Sequence, residues 1–193
     1  MGPTSPSRQR RTLADWQAEP PERHLELIDG DFVEKAEPDA PHANAQAGVT
    51  SAVRPPFHRR GGSGGPGGWW ILTEADVQLG TDVVRPDVVG WRRSSCPSLP
   101  AERPIRIRPD WICEIVSATN RANDTVVKLR LYHQQGVPHY WLLDPSAGTL
   151  TVFRHAPSGY LQVIAAQRHE NVRPEPFEAM EFSVGLLLGD DPA

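Results

Sequence analysis

Two acidic residues stand where acids are expensive. Asp87 lies at the centre of VVRPDVVGW, Val83 to Trp91, which otherwise reads as a buried β-strand. Glu114 lies at the centre of PDWICEIVS in an equally apolar setting. Burying a carboxylate without a partner costs on the order of several kcal/mol, so each needs a cation, a metal or a cluster of donors. Two carboxylates on adjacent strands supply the oxygen ligands that a hard divalent cation such as Mg2+ (or Mn2+) requires. A cation held there polarises a phosphate and activates the water that attacks it.

A third charged group comes from the segment that follows. NRANDTVVKLRLYHQQG predicts a helix from about Asn123 to Gln135, with Gly136 as its C-terminal stop and Pro138 preventing continuation. Asp124, Lys128 and Tyr132 recur every four residues and share one face of it. If that face looks at the sheet, Lys128 brings an ammonium to the carboxylate pair, where it can stabilise charge developing on a phosphate. Each residue also has a structural reading: Asp124 and Lys128 as a surface ion pair, Glu114 as a hydrogen-bonded structural acid, Asp87 as a cap on the bend after Pro86. Together they are hard to explain as a solvated surface.

The elements that must position these groups alternate in type. HLELIDGDFVEK, His24 to Lys35, predicts a hairpin turning at Asp29-Gly30. A helix is expected from about His42 to Val53, stopped by Pro55-Pro56. RRGGSGGPGG, Arg59 to Gly68, reads as a flexible connector; it lacks the Gly-Lys-Ser/Thr ending of a phosphate-binding loop. Trp69 to Gly80 and Val83 to Trp91 read as two strands, and Trp111 to Val116 as a third. Strand 111–116, helix 123–135 and a strand over His139 to Asp144 make a β-α-β unit with parallel neighbours. TLTVFR and YLQVIAA complete a C-terminal β-meander, and the last residues predict a short strand or helical turn. The fold class is α/β (α+β), a mixed sheet flanked by helices.

Composition bounds the rest. A chain of 193 residues suits one domain, expected over residues 21–188, after a polar, proline-rich tail over residues 1–20 that is expected to be disordered. Cys96 and Cys113 have no paired spacing, which fits a reduced, cytoplasmic compartment and argues against a thiolate zinc site. No apolar run is long enough to cross a membrane. The net charge of −4 argues against tight sequence-blind nucleic-acid binding, yet Arg103, Arg106 and Arg108 cluster and leave room for a local basic groove. Of 20 basic residues only Lys35 and Lys128 are lysines, which singles both out. Trp69, Trp70, Trp91, Trp111 and Trp141 read as packing residues rather than base-stacking platforms.

The segments ELIDGDFVEK, RPDVVGW, PDWICEIVS, NDTVVKLRLYHQQGVPHYWLLDP and LTVFR, in this order, resemble the Uma-two family of restriction-endonuclease-like proteins. The resemblance runs from about Leu25 to Val163, and its most specific stretch is Asp124 to Pro145. It places the chain in the PD-(D/E)XK nuclease superfamily and implies an α-β-β-β-α-β core with a metal-dependent phosphodiesterase site. Pro86-Asp87 matches the Pro-Asp of the motif and Glu114 its second acid. The lysine two positions after that acid is replaced by Val116, so the ammonium is expected from Lys128. The implied metal ligands are Asp87, Glu114 and the Ile115 carbonyl, with Asp87, Glu114 and Lys128 as catalytic residues. Glu26 stands in for a missing acid on the first helix, Ser117 holds water or caps a turn, Asp124 positions Lys128, and His42 occupies a position where the family often has His. The expected activity is Mg2+-dependent (or Mn2+-dependent) hydrolysis of DNA phosphodiesters, with a homodimer as the form suited to cutting both strands. The rival reading is an inactive nucleic-acid-binding or protein-interaction module on the same fold.

Overall fold

The structure, a computed structural model, describes residues 9–61, 65–117 and 123–191; the side chains at 123 and 124 lie outside that description. Helix α1 (Leu13–Ala18) and a 3-10 turn (Pro21–Arg23) lead into the hairpin of β1 (Leu25–Ile28) and β2 (Asp31–Glu34). Helix α2 (Ala40–Phe57) is followed by β3 (Trp69–Thr73), β4 (Val77–Leu79), β5 (Asp82–Val84), β6 (Val88–Arg92) and β7 (Trp111–Ile115). A π-helical turn (Asn123–Lys128) runs into α3 (Leu129–Gln134). Strands β8 (His139–Asp144), β9 (Thr149–Ala156) and β10 (Gly159–Gln167) form the meander, and β11 (Asn171–Val172), β12 (Phe182–Ser183) and α4 (Val184–Leu187) close the described chain.

Six strands form the main sheet in the order β10-β9-β8-β7-β6-β3, and a smaller sheet has the order β2-β1-β5-β4. Within the main sheet only β7 and β8 run parallel, with Trp111 opposite His139 and Ile115 opposite Leu143. The expected crossover unit is therefore present, as is the expected mixed α/β (α+β) architecture. Side-chain alternation splits the main sheet between two cores. Val88, Trp111, Cys113 and Ile115 pack with Ala45, Val49, Val53 and Phe57 of α2. Val89, Trp91, Ile112 and Tyr140 pack with Leu131 and Tyr132 of α3 and with Ile28, Val77 and Val84 of the small sheet. The tryptophans expected as packing residues fill these layers: Trp69, Trp91, Trp111 and Trp141 are buried, and Trp70 packs partly buried against the second core.

Several boundaries differ from those expected, each for a physical reason. The tail expected through residue 20 is ordered over Leu13–Ala18. Thr12 and Asp15 form a reciprocal capping box, and Trp16 is buried with its indole N–H donating to the Leu25 carbonyl at 2.6 Å. Residues 1–8 lie outside the described part. Helix α2 continues through Pro55 and Pro56 to Phe57, because Phe57 is buried against Phe177 with ring centroids 4.6 Å apart. That burial offsets the backbone bonds the two prolines cannot donate. The connector expected over Arg59–Gly68 is only partly described, since residues 62–64 lie outside. Each of the two long strands expected between Trp69 and Trp91 is broken. The first turns at Glu74, whose φ is +53°, and the second breaks at Arg85-Pro86-Asp87, where proline has no N–H to give a ladder. In both cases one half joins the main sheet and the other half the small sheet.

Candidate active site

The break at Pro86 decides where Asp87 sits. It is the residue before β6, not the centre of a strand, and it marks the crossing from small sheet to main sheet. The last paired residues of β6 and β7 are Val88 and Cys113; one step further, Asp87 comes level with Glu114. On its other side β6 pairs Val88 with Thr73 of β3, and one step further Glu74 comes level with Asp87. Its N–H lies 3.4 Å from the Asp87 carbonyl. Antiparallel register thus sets Glu74, Asp87 and Glu114 in one row across three strands.

Two ammonium groups are inserted among these acids. Lys128 Nζ is 2.9 Å from Glu26 Oε1 and 3.1 Å from Glu114 Oε1, and all three side chains are almost fully buried. One turn later on the same face, the Tyr132 hydroxyl donates to Glu114 Oε1 in a short hydrogen bond. Burial, and then the nearby Glu114 and Glu26 carboxylates, push the Tyr132 phenol well above its usual range, so it stays a donor. Glu26 Oε1 also accepts the Arg85 N–H at 2.8 Å.

Lys35, at the end of the hairpin, makes the second cluster. Its Nζ lies 2.8 Å from Asp87 Oδ1, 2.8 Å from the Arg85 carbonyl, and 2.9 and 3.0 Å from the two oxygens of Glu74. Asp87 Oδ1 is also 3.2 Å from His42 Nε2, and Asp87 Oδ2 accepts the Ile115 N–H at 2.6 Å. Gln46 of α2 donates to Glu74 Oε1 at 2.8 Å and to the Asp87 carbonyl at 2.9 Å. Burial alone would raise the Asp87 carboxyl. The His42 hydrogen bond and the charges of Lys35, His42 and Lys128 outweigh it and hold the group well below the usual carboxylate range.

Asp87, Glu114, Ile115, Ser117, Lys128, Lys35 and His42 line one cavity of about 20 Å³. That is room for a single water or ion. A wider cleft of about 610 Å³ meets it at Lys35 and His42 and continues past Gln46, Glu74, Arg85 and Arg103. The residues expected from the sequence thus largely converge: Asp87, Glu114, Ile115, Lys128 and Ser117 on the cavity, with Glu26 behind Lys128. The Asp124 side chain lies outside the described part. Val116, at the motif's lysine position, is buried and gives its N–H to Leu143, while Lys128 reaches Glu114 from the helix.

Sequence reasoning missed Glu74 and Gln46 and singled out Lys35 only by its rarity. Lys35 closes a hairpin strand and reads as a surface residue, and Glu74 sat inside an apparently continuous strand. The basic cluster at Arg103, Arg106 and Arg108 is partly spent on acids: Arg103 bonds Asp76 at 2.5 Å, and Arg106 lies 4.0 Å from Glu102. Two carboxylates at an ion-sized cavity that Ile115 also lines suit a hard divalent cation in ligand chemistry and in size. Among the described residues, no third carboxylate, histidine or cysteine joins them in a ligand set.

The profile of the Uma2 family, described as "Putative restriction endonuclease", matches residues 11–186. Among solved structures, the crystal structure of a "putative nuclease belonging to DUF820" from Anabaena variabilis superposes with a TM-score of 0.71 and 22% identity. The match covers 92% of this chain and 97% of that one. None of the curated proteins matches this sequence.

Proposed function

Since the chain belongs to the Uma2 family of restriction-endonuclease-like proteins, we propose that it is a divalent-metal-dependent endonuclease that hydrolyses DNA phosphodiester bonds. The observation that carries this reading is the cavity of about 20 Å³ on which Asp87, Glu114, Ile115 and Lys128 converge. Asp87, Glu114 and the Ile115 carbonyl would hold a Mg2+ or Mn2+ ion, which would supply Lewis-acid polarisation of the phosphate and of the attacking water. The chain's own groups do the rest. The Ile115 N–H fixes Asp87 Oδ2, and Tyr132 and Lys128 fix Glu114 Oε1, so both ligands are oriented before anything binds. Lys128, buried between two acids, offers its ammonium to charge developing on the phosphate. The wide cleft gives a strand its approach, and Lys35 and His42 stand where cleft meets cavity.

No helix among the described residues is long and apolar enough to cross a membrane. The proposed setting is the cytoplasm, with DNA as partner and a homodimer as the form for double-strand cleavage. The test is incubation of supercoiled plasmid with the purified protein and Mg2+ or Mn2+, beside EDTA and Asp87→Ala controls. Nicking by the native chain that disappears in both controls is the expected result. Nicking that persists in Asp87→Ala overturns the site, and absence of nicking by the native chain transfers the weight to the binding-module reading.

A further inference from the structure

The two lysines are held in closely related ways. Lys128 bridges the carboxylates of Glu26 and Glu114. Lys35 bridges the carboxylates of Asp87 and Glu74 and adds the Arg85 carbonyl. The second arrangement has the composition of a hard-cation site: two carboxylates and one backbone carbonyl converging on one point. What occupies that point is an ammonium at 2.8 to 3.0 Å from each oxygen.

Charge and space point the same way. Glu26, Glu74, Asp87 and Glu114 carry four negative charges, against the two positive charges of Lys35 and Lys128. With His42 neutral, two negative charges remain; with His42 charged, one remains. A single divalent cation between Asp87 and Glu114 brings the cluster to neutrality or close to it. A second would leave a surplus of two or three positive charges in a site whose inner acids are 1% exposed, where uncompensated charge is costly. The cavity beside Asp87 and Glu114, about 20 Å³, has room for one ion-sized body. A metal–oxygen distance of about 2.1 Å also leaves no place for a second ion between Asp87 Oδ1 and Glu74 unless the Lys35 ammonium departs.

Building on the metal-site reading above, we propose that Lys35 is a resident cation: its ammonium fills the second cation position on Asp87 and restricts the site to one divalent ion. Lys35 is thereby a positioning residue that sets how many ions the acids accept. Removing its charge without unfolding the chain converts a one-ion site into a two-ion site.

The experiment is Mn2+ titration of the full chain, followed by calorimetry and by electron paramagnetic resonance, for the native protein, Lys35→Met, Lys35→Gln and Asp87→Asn. The native chain is expected to bind one Mn2+ with an uncoupled spectrum. Lys35→Met or Lys35→Gln, whichever remains folded by circular dichroism, is expected to bind two, with the spin coupling of neighbouring ions. Asp87→Asn is expected to lose the site. A native chain that already binds two coupled ions overturns the inference, with or without a folded variant. So does a folded Lys35 variant that still binds one ion with unchanged affinity; in that case Asp87-dependent binding leaves the metal reading standing. If the native chain binds no Mn2+, the metal reading fails and the inference falls with it.

Discussion

The carboxylate of Asp87 accepts the backbone N–H of Ile115 at 2.6 Å, so the residue just before β6 is tied to the residue that ends β7. This bond lies where the two strands part, one step past their last paired residues. It makes Asp87 a structural acceptor as well as the proposed metal ligand, and the two roles separate under substitution.

Asp87→Asn keeps the shape but not the charge. The amide oxygen can accept from Ile115 or from Lys35, while its NH2 faces a donor on the other side. A loss of about 1–3 kcal/mol is expected, together with loss of at least about a hundredfold in plasmid nicking. Urea unfolding and a nicking time course measure the two. Unchanged stability and unchanged nicking would mean that Asp87 is an incidental buried acid.

Lys128→Met removes one charge from a buried triad and leaves Glu26 and Glu114 facing each other. The expected cost is roughly 3–5 kcal/mol. Replacing Glu26 by Gln in the same chain removes one of the stranded charges and should recover part of that loss. A double-mutant cycle by denaturant unfolding reads the coupling; additive effects would show that the lysine and Glu26 do not share the bond described.

Phe177 is the hub of an aromatic cluster, with Phe57, Trp69, Trp111 and Trp141 at centroid distances of 4.6, 4.9, 4.8 and 5.6 Å. Phe177→Ala should destabilise the chain by about 3–5 kcal/mol. Near-ultraviolet circular dichroism should lose tryptophan signal in the same variant. A cost under about 1 kcal/mol would mean that this loop is not part of the core.

His139 gives a pH signature remote from the site. Burial, and then Arg92, lower its imidazole to about 4. The folded state therefore binds its proton less readily than the unfolded chain, whose histidines titrate near pH 6.5. Stability is fully retained above that value and falls as the pH drops from about 6.5 toward 4. With the ring dry throughout, the loss would approach about 3 kcal/mol, and solvent screening at its open edge reduces this to roughly half. The difference in unfolding free energy between the native chain and His139→Gln, followed over that range, isolates the effect. A difference that does not vary with pH would rule it out.

Much of the fold was legible because its signals are local. The limits of strand β8, His139 and Asp144, are marked in the sequence itself, since a helix-ending glycine and a proline precede it and Asp144-Pro145 closes it. The Asp29-Gly30 turn carries two positive φ angles, +53° and +77°, as that dipeptide favours. Asp87, Glu114 and Lys128 were legible because charge in an apolar run is conspicuous. The π-helical start before α3 was not, because the four-residue spacing of Lys128 and Tyr132 belongs to the α-helix that follows and carries no sign of the wider turn before it. The broken strands look continuous in sequence because apolar residues lie on both sides of each break. Nothing in the run 69–79 reports that its halves pair with different sheets. Lys35 and Glu74 meet across 39 positions of sequence, and only register, not spacing, brings them together.

The two ammonium bridges also have a mechanical meaning. Glu26 belongs to β1 of the small sheet and Glu114 to β7 of the main sheet, so Lys128 rivets one sheet to the other. Lys35 leaves β2 of the small sheet and grips Asp87 and Glu74, which border β6 and β3 of the main one. The charges that define the site are thus the fasteners of the seam on which it sits. Any change that retunes their electrostatics also changes how stiffly the two sheets are held together.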